Sequence, residues 1–118
     1  MKPTDSTQDP ALWQRINDSF VRQGLMQHWG AQLRSVQSGR VEIELPYSER
    51  VTQQQGGFHG GAIGALADIC AGYAALTAAG PEFEVTTIEY KINFLAAFQS
   101  GSLRRVRSGC RSGKQPKN

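Results

Sequence analysis

The stretch QQQGGFHGGAIGALAD begins at Gln53 and leads into an apolar segment, residues 60–79, in which Asp68 is the one acidic residue. A helix that is apolar on all sides is typical of an element buried against a sheet. Gly80 and Pro81 follow the segment, and both residue types commonly end helices. The stretch therefore predicts a long central helix that begins at the FHGG turn.

This apolar segment is also long enough to raise the question of a membrane span. Its bulk comes from Ala and Gly, a carboxylate lies in its middle, and no basic residues flank it. Nothing in the first 25 residues resembles a secretory signal peptide. We therefore expect a cytoplasmic protein without a membrane span.

Upstream of this segment, an amphipathic helix is predicted to start at Pro10, with Asp9 as its cap and Gly24 as its end. Its apolar residues recur at spacings of three and four and would form one face. Residues 1–9 are polar and are expected to be a flexible N-terminus.

Two further segments have the patterns of strands. RVEIELPYS, residues 40–48, alternates apolar and charged side chains, and Gly39 supplies a turn toward a partner strand at residues 27–37. VTTIEYKINFLAAF, residues 85–98, is rich in β-branched and aromatic residues. These elements predict one α+β domain of 118 residues, with an antiparallel sheet that curls around a central helix.

The FHGG turn has the features of a site for a developing negative charge. The first amides of a helix have no partner inside the helix, and glycine leaves them accessible to a substrate oxygen. The partial positive charge of the helix terminus would stabilise an oxyanion at Gly60 and Gly61. Close packing of the helix against the sheet would equally explain two glycines, so both interpretations stay open.

Asp68 and His59 are the candidate titratable groups. Burial of a carboxylate two turns into an apolar helix costs folding free energy, so such a residue is expected to have a function. We therefore predict that Asp68 is a catalytic carboxylate. His59 could act as a general base, but a residue just ahead of a helix more often fixes the local backbone by hydrogen bonds, and this is the role we expect. Gln54 and Gln55 are expected to be solvated.

Six residues of this region have a shared spacing that is typical of one family: Gln53, Gly56, His59, Gly60, Gly61 and Asp68. They resemble the motif of hotdog-fold acyl-CoA thioesterases of the phenylacetic-acid-degradation (PaaI-like) type, over roughly residues 25–105. The Gln at the first position is similar to the hydroxybenzoyl-CoA thioesterase branch. The resemblance implies a hotdog fold, hydrolysis of a small aromatic or medium-chain acyl-CoA, and a homodimer or a dimer of dimers.

The resemblance also implies roles for individual residues. The amide of Gly60 would polarise the thioester carbonyl, and Gln53 would position the substrate or the attacking water. Asp68 would attack the thioester or activate water, and it would face the HGG turn of a second subunit. No metal or redox cofactor is implied, because a thioester is already an activated group.

Three more residues are implied to contact the substrate or the water: His59, Gly61 and Thr87. Thr87 aligns only to within one residue, so Thr86 is an alternative.

The C-terminal part departs from the family. After Val106 the chain reads RSGCRSGKQPKN, in which we find no period of two. We therefore predict that residues 107–118 form a disordered basic tail and that the last strands of the fold are incomplete, through truncation, an altered reading frame or a natural shortened variant.

The charge and cysteine patterns leave further alternatives. Six of the 13 basic residues follow residue 103, but no stacking aromatic accompanies them, so nucleic acid is an unlikely partner. Cys70 and Cys110 lie 40 positions apart and predict two free thiols. Besides a thioesterase, the sequence is compatible with a non-catalytic acyl-binding or assembly protein of the same fold and with a nucleic-acid-binding protein that uses its basic tail.

Overall fold

The computed structural model describes residues 9–79 and 105–111. In chain order the described elements are α1 (Pro10–Phe20), α2 (Gly24–Trp29), β1 (Gln32–Gln37), β2 (Arg40–Pro46), a 3₁₀ turn (Glu49–Val51), α3 (Gly60–Ala79) and β3 (Arg105–Arg111). The strands form an antiparallel sheet in the order β1-β2-β3, and α3 packs across it. The predicted α+β architecture, a sheet against a long helix, is confirmed.

Helix α1 begins as predicted. The Asp9 carboxylate accepts hydrogen bonds from the amides of Ala11 (2.9 Å) and Leu12 (3.4 Å). The predicted end at Gly24 is wrong, because α1 ends at Phe20 and Gly24 opens α2. The glycine that ends a helix here is Gly30, whose φ of 73° places it in the left-handed region.

The hairpin is confirmed for β2 and corrected for β1. Gly39, with a φ of 78°, forms the turn, and the apolar residues of β2 are completely buried beneath α3. The first strand starts at Gln32 and not at residue 27, because residues 24–29 form α2. The Arg34 position carries an irregularity, since the pairing shifts between Leu33 and Ser35.

Helix α3 has the predicted bounds, Gly60–Ala79. Leu66, Cys70 and Ala74 are fully buried on the face toward the sheet. By length and composition, residues 60–78 could cross a membrane, but half of that segment is buried inside the fold. A core helix of a soluble protein has the same composition, so the segment is weak evidence for a span.

Strand β3 corrects the prediction of a disordered tail from residue 107. Residues 105–111 pair along β2, with Val106 opposite Leu45 and Cys110 opposite Val41. The side chains do alternate, because Val106, Ser108 and Cys110 turn toward the core whereas the three arginines are exposed. Small inward residues suffice because α3 lies close to the sheet here.

The remaining predictions about the chain lie outside the described residues. They concern residues 1–8, the strand at residues 85–98 and residues 112–118.

Candidate active site

A tight turn precedes α3 and carries the first half of the motif. Thr52 and Phe58 form a β-bridge that closes the turn. Within the turn, the amide of Gln53 donates to the carbonyl of Gly57 (2.8 Å). The amide of Gly56 donates to the carbonyl of Gln53 (2.9 Å). Gly56 has a φ of 87°, a conformation that side chains rarely adopt. The glycine three residues after Gln53 is therefore required by the backbone.

Tyr47 holds this turn from the end of β2. Its hydroxyl donates to the carbonyl of Gly56 (2.5 Å), and its ring packs edge-to-face on Phe58 with centroids 5.5 Å apart. Phe58 is buried, whereas Tyr47 is partly exposed. Sequence reasoning missed Tyr47 as a positioning residue, although an aromatic residue directly after a strand and before a glycine-rich turn was a usable signal.

His59 caps α3. Its amide donates to the carbonyl of Val51 (2.7 Å), and its Nδ1 accepts from the amide of Gly61 (2.8 Å). Since Nδ1 is an acceptor, the ring in this geometry carries its proton on Nε2. The expected role of His59, fixation of the local backbone, is confirmed. A side chain at Gly61 would place its Cβ 3.0 Å from this ring, so Gly61 makes room for the cap.

The Gly60 amide differs from its neighbour. Within residues 9–79 and 105–111 it has no hydrogen-bond acceptor, whereas the next amide along the helix donates to the His59 ring. A Cβ built on Gly60 would meet nothing within 4 Å, so contact with the described residues does not require a glycine here. Among the described residues, no contact with the sheet requires either glycine, since Gly61 makes room for the His59 ring. The arrangement provides one free donor at a helix N-terminus.

Gln53 folds over its own turn. Its side-chain oxygen accepts a hydrogen bond from the amide of Gln55, which leaves its Nε2 without an acceptor among the described residues. Gln53 can therefore donate to a ligand through Nε2, while its oxygen is already engaged with the backbone of its own turn. Gln54 and Gln55 are exposed, as predicted.

Asp68 is exposed on α3, so the expectation that it lies buried at a cost is wrong for the single chain. The neighbouring Leu66, Ala67 and Cys70 face the core, whereas Asp68 turns away from it. It makes no hydrogen bond or ion pair with any other residue that the structure describes. Eight residues of helix separate it from Gly60 by about 12 Å along the axis, so one chain does not bring the two groups together.

The outer face of the sheet carries a cluster of charged side chains around Glu44. The Glu44 carboxylate accepts from Arg107 (2.9 Å) and from Arg34 (2.9 Å), and Arg105 lies 4.0 Å away. The hydrogen bond from Arg107, followed by that from Arg34, holds the pKa of Glu44 below its ordinary value of 4.5. Because Arg107 is tied to a carboxylate of its own chain, it is a weak candidate for nucleic-acid binding.

The predicted threonine and the question of a metal site can be compared with the structure only in part. Thr87 and Thr86 lie outside the described residues. In the part of the chain that the structure describes, no three His, Cys, Asp or Glu side chains gather as metal ligands would.

Comparison with known sequences gives three matches of substance. The family described as "Thioesterase superfamily" matches residues 55–112. A putative esterase of Saccharolobus solfataricus is 42% identical over 67 residues, which are 57% of this chain and 47% of that protein. A 1,4-dihydroxy-2-naphthoyl-CoA hydrolase of Listeria monocytogenes is 31% identical over 91 residues, which are 77% of this chain and 74% of that protein. The chain thus spans about half the length of the first of these relatives and about three quarters of the second.

Solved structures agree with the fold. A thioesterase family protein of Silicibacter pomeroyi is 36% identical, with a TM-score of 0.68 over 81% of this chain and 68% of that one. The E. coli PaaI protein has a TM-score of 0.52 at 19% identity, over 57% of this chain and 49% of that one, and this likeness concerns the fold alone. The family match continues through β3 to residue 112, so the similarity does not end near residue 105.

Proposed function

The chain belongs to the thioesterase superfamily, and from this premise we propose that it hydrolyses the thioester bond of an acyl-CoA. The observation that carries the proposal is the Gly60 amide at the start of α3, which has no hydrogen-bond acceptor among the described residues. A thioester carbonyl accepts a hydrogen bond there in the ground state. The bond strengthens when water attacks the carbonyl carbon and negative charge develops on the oxygen.

The proposed substrate is a small aromatic acyl-CoA, with a medium-chain acyl-CoA as the alternative. The name of the Listeria relative, a naphthoyl-CoA hydrolase, supports the aromatic class. Gln53 donates through Nε2 to the substrate, and the exposed His59 offers its Nε2 proton as a second donor. We also place the protein in the PaaI-like branch and in the cytoplasm as parts of this proposal.

Asp68 acts from a second copy of the chain. A base that activates water must lie within one hydrogen bond, about 3 Å, of that water, and the water must lie near the carbonyl carbon. The separation of about 12 Å along α3 is too long for Asp68 to serve the Gly60 amide of its own chain. In a homodimer, the exposed Asp68 of one subunit takes the proton of the water, or attacks directly, at the HGG turn of the other. Thr87 or Thr86 helps to hold the water.

The donor is tested by removing one hydrogen atom. Proline is well tolerated at the first position of a helix and has no amide hydrogen, so Gly60→Pro deletes the proposed donor while the helix remains. We expect kcat to fall about 100-fold or more. Gly60→Ala keeps the amide and its Cβ meets no neighbour, so it serves as the matched control with nearly normal kcat. Equal activity in both variants would overturn the assignment of the donor.

The shared site is tested by mixing two inactive proteins. Gly60→Pro and Asp68→Asn subunits, unfolded together and refolded at equal concentration, form mixed dimers in which one of the two sites is intact. About a quarter of the parent activity should return. No recovery, with mixed dimers present by native mass spectrometry, would contradict a site between subunits. Binding of acyl-CoA by the parent without hydrolysis would instead favour the acyl-binding alternative.

A further inference from the structure

Two cysteines that are remote in sequence meet between α3 and the sheet. The Cys70 thiol lies 3.1 Å from the carbonyl oxygen of Val41 on β2 and 3.2 Å from that of Ser108 on β3. Cys110 is the ladder partner of Val41, and its sulfur lies 3.6 Å from the carbonyl oxygen of Ala67, one turn before Cys70. Each thiol therefore touches the backbone of the element that carries the other.

The two thiols are chemically unequal. The hydrogen bond between them lowers the pKa of Cys110 to about 7, and the same bond, followed by burial, raises the pKa of Cys70 above its ordinary value of 9.0. The two shifts run in opposite directions, so Cys110 is the thiol of the pair that ionises more readily. A nucleophilic thiolate beside a protonated thiol is the arrangement of an attacking and a resolving cysteine.

We propose that Cys70 and Cys110 form a redox-active dithiol that a peroxide oxidises to an intrachain disulfide between α3 and β3. The site uses neither Gly60 nor Asp68, so it stands independently of the proposed hydrolysis. A disulfide requires the two elements to lie in close contact, and the 3.2 Å between the Cys70 sulfur and the Ser108 carbonyl oxygen shows that α3 touches β3 beside Cys110.

The reaction has two balanced steps. The Cys110 thiolate attacks one peroxide oxygen, the O–O bond breaks, and the departing hydroxide takes a proton from solvent, which leaves a sulfenic acid on Cys110. The Cys70 sulfur then attacks the Cys110 sulfur, the S–O bond breaks, and the departing hydroxide leaves as water with the Cys70 proton. The two thiols lose two electrons and two hydrogens, and one hydrogen peroxide becomes two waters.

The disulfide would restrain the unfolded chain more than the folded one. It closes a loop of about 40 residues, and loop closure of this length raises the thermal midpoint of a domain of this size by roughly 10 °C. Oxidation is therefore expected to stabilise the chain and to fix β3 against α3.

The decisive experiment is a peptide map of the whole parent chain. After treatment with stoichiometric hydrogen peroxide and digestion by trypsin without reductant, residues 51–91 should appear joined to residues 108–111, and dithiothreitol should separate them. The intact mass should fall by two hydrogens. Sulfinic acid on either cysteine, a crosslink between two chains, or unchanged thiols would each overturn the proposal.

Two measurements separate this pair from ordinary buried thiols. The rate of disulfide formation should rise between about pH 6 and pH 8, as Cys110 ionises, whereas an unperturbed thiol would respond about one to two units higher. The oxidised parent should melt at a higher temperature than the reduced parent, and Cys70→Ser or Cys110→Ser should abolish this difference. If a serine variant does not fold, the peptide map of the parent still decides.

Discussion

The outer face of the sheet and the outer face of α3 each carry a central acidic side chain, but the environments of the two acids are opposite. Glu44 on β2 is only 4% exposed and accepts hydrogen bonds from Arg34 and Arg107. Asp68 on α3 is exposed and has no polar partner within the described ranges. An acid that its own chain neutralises is part of the fold, whereas an acid left unpaired on an apolar helix is available to a second molecule.

The burial of Glu44 has a structural cause. The pairing of β1 with β2 is irregular at Arg34. The Nη2 atom of Arg34 lies 2.9 Å from the Oε1 atom of Glu44. Arg107 is the ladder partner of Glu44 on β3. The guanidinium groups of these two arginines thus bind the carboxylate and are themselves partly exposed to solvent.

Of the changes that test this comparison, a substitution at Asp68 is expected to have the largest effect, and that effect is on hydrolysis. Asp68→Asn removes a proton acceptor but no contact of the described fold, so kcat/KM for an acyl-CoA should fall at least about 100-fold while the thermal midpoint changes by about 1 °C or less. Steady-state hydrolysis and thermal unfolding measure the two. Asp18→Asn, at another exposed helical acid, should leave hydrolysis unchanged. Full activity of Asp68→Asn would show that Asp68 is not the catalytic carboxylate.

The next effect concerns folding and belongs to Glu44. Glu44→Gln keeps the shape but loses the charge that two arginines share, and should lower the free energy of unfolding by about 2 kcal/mol, with little change in kcat. Urea denaturation measures the loss. Glu42→Gln is the matched control, because its ion pairs of 3.6 and 3.8 Å are looser and should contribute less than about 1 kcal/mol. Equal losses in both variants would contradict the special position of Glu44.

The sequence predicts those features of the fold that depend on neighbouring residues. The cap at Asp9, the bounds of α3 and the alternation of β2 follow from local patterns, and the structure confirms them. The continuation of strand β3 from residue 107 to Arg111 could not be predicted, because its alternation there is between small residues and arginines. Its inward side chains are acceptable only because the buried Cys70 of α3 lies directly on the β2 and β3 backbones.

The same distinction applies to the candidate site. The spacing of the HGG motif predicts a helix start with free amides, and the capping role of His59 follows from its position. The environments of the two acids could not be predicted, because Glu44 depends on Arg107, 63 positions away, and the exposure of Asp68 depends on which face of α3 meets the sheet. A pattern of residue types does not contain those distances.

A smaller effect tests how the helix start supports the functional face. Gly61→Ala would press its Cβ against the His59 ring, disturb the cap and cost about 1 kcal/mol of folding free energy, with a severalfold loss in kcat. Gly64→Ala meets no neighbour within 4 Å and should instead gain up to about 1 kcal/mol from helix propensity. Urea denaturation and hydrolysis rates distinguish the two. A stable, fully active Gly61→Ala protein would show that the cap is dispensable.

The smallest expected effect is the pH dependence that Glu44 adds to stability. Its pKa is lowered in the folded state, chiefly by Arg107, so its contribution is present above the ordinary value of 4.5 and is lost as the pH falls through the folded value. The difference in unfolding free energy between the parent and Glu44→Gln should therefore be constant from pH 7 to about pH 5.5 and should shrink below about pH 4.5. Urea unfolding at several pH values measures it.

Arg107→Gln provides the control for this dependence, because it removes the strongest partner of Glu44 and keeps Arg34 in place. In an Arg107→Gln background, adding Glu44→Gln should give a smaller difference in unfolding free energy with a weaker dependence on pH, since a carboxylate with one arginine fewer has a folded pKa nearer its ordinary value. If the difference persists unchanged to pH 3, Glu44 stabilises the sheet through the shape of its side chain and not through its charge. The contrast with Asp68 would then rest on burial alone.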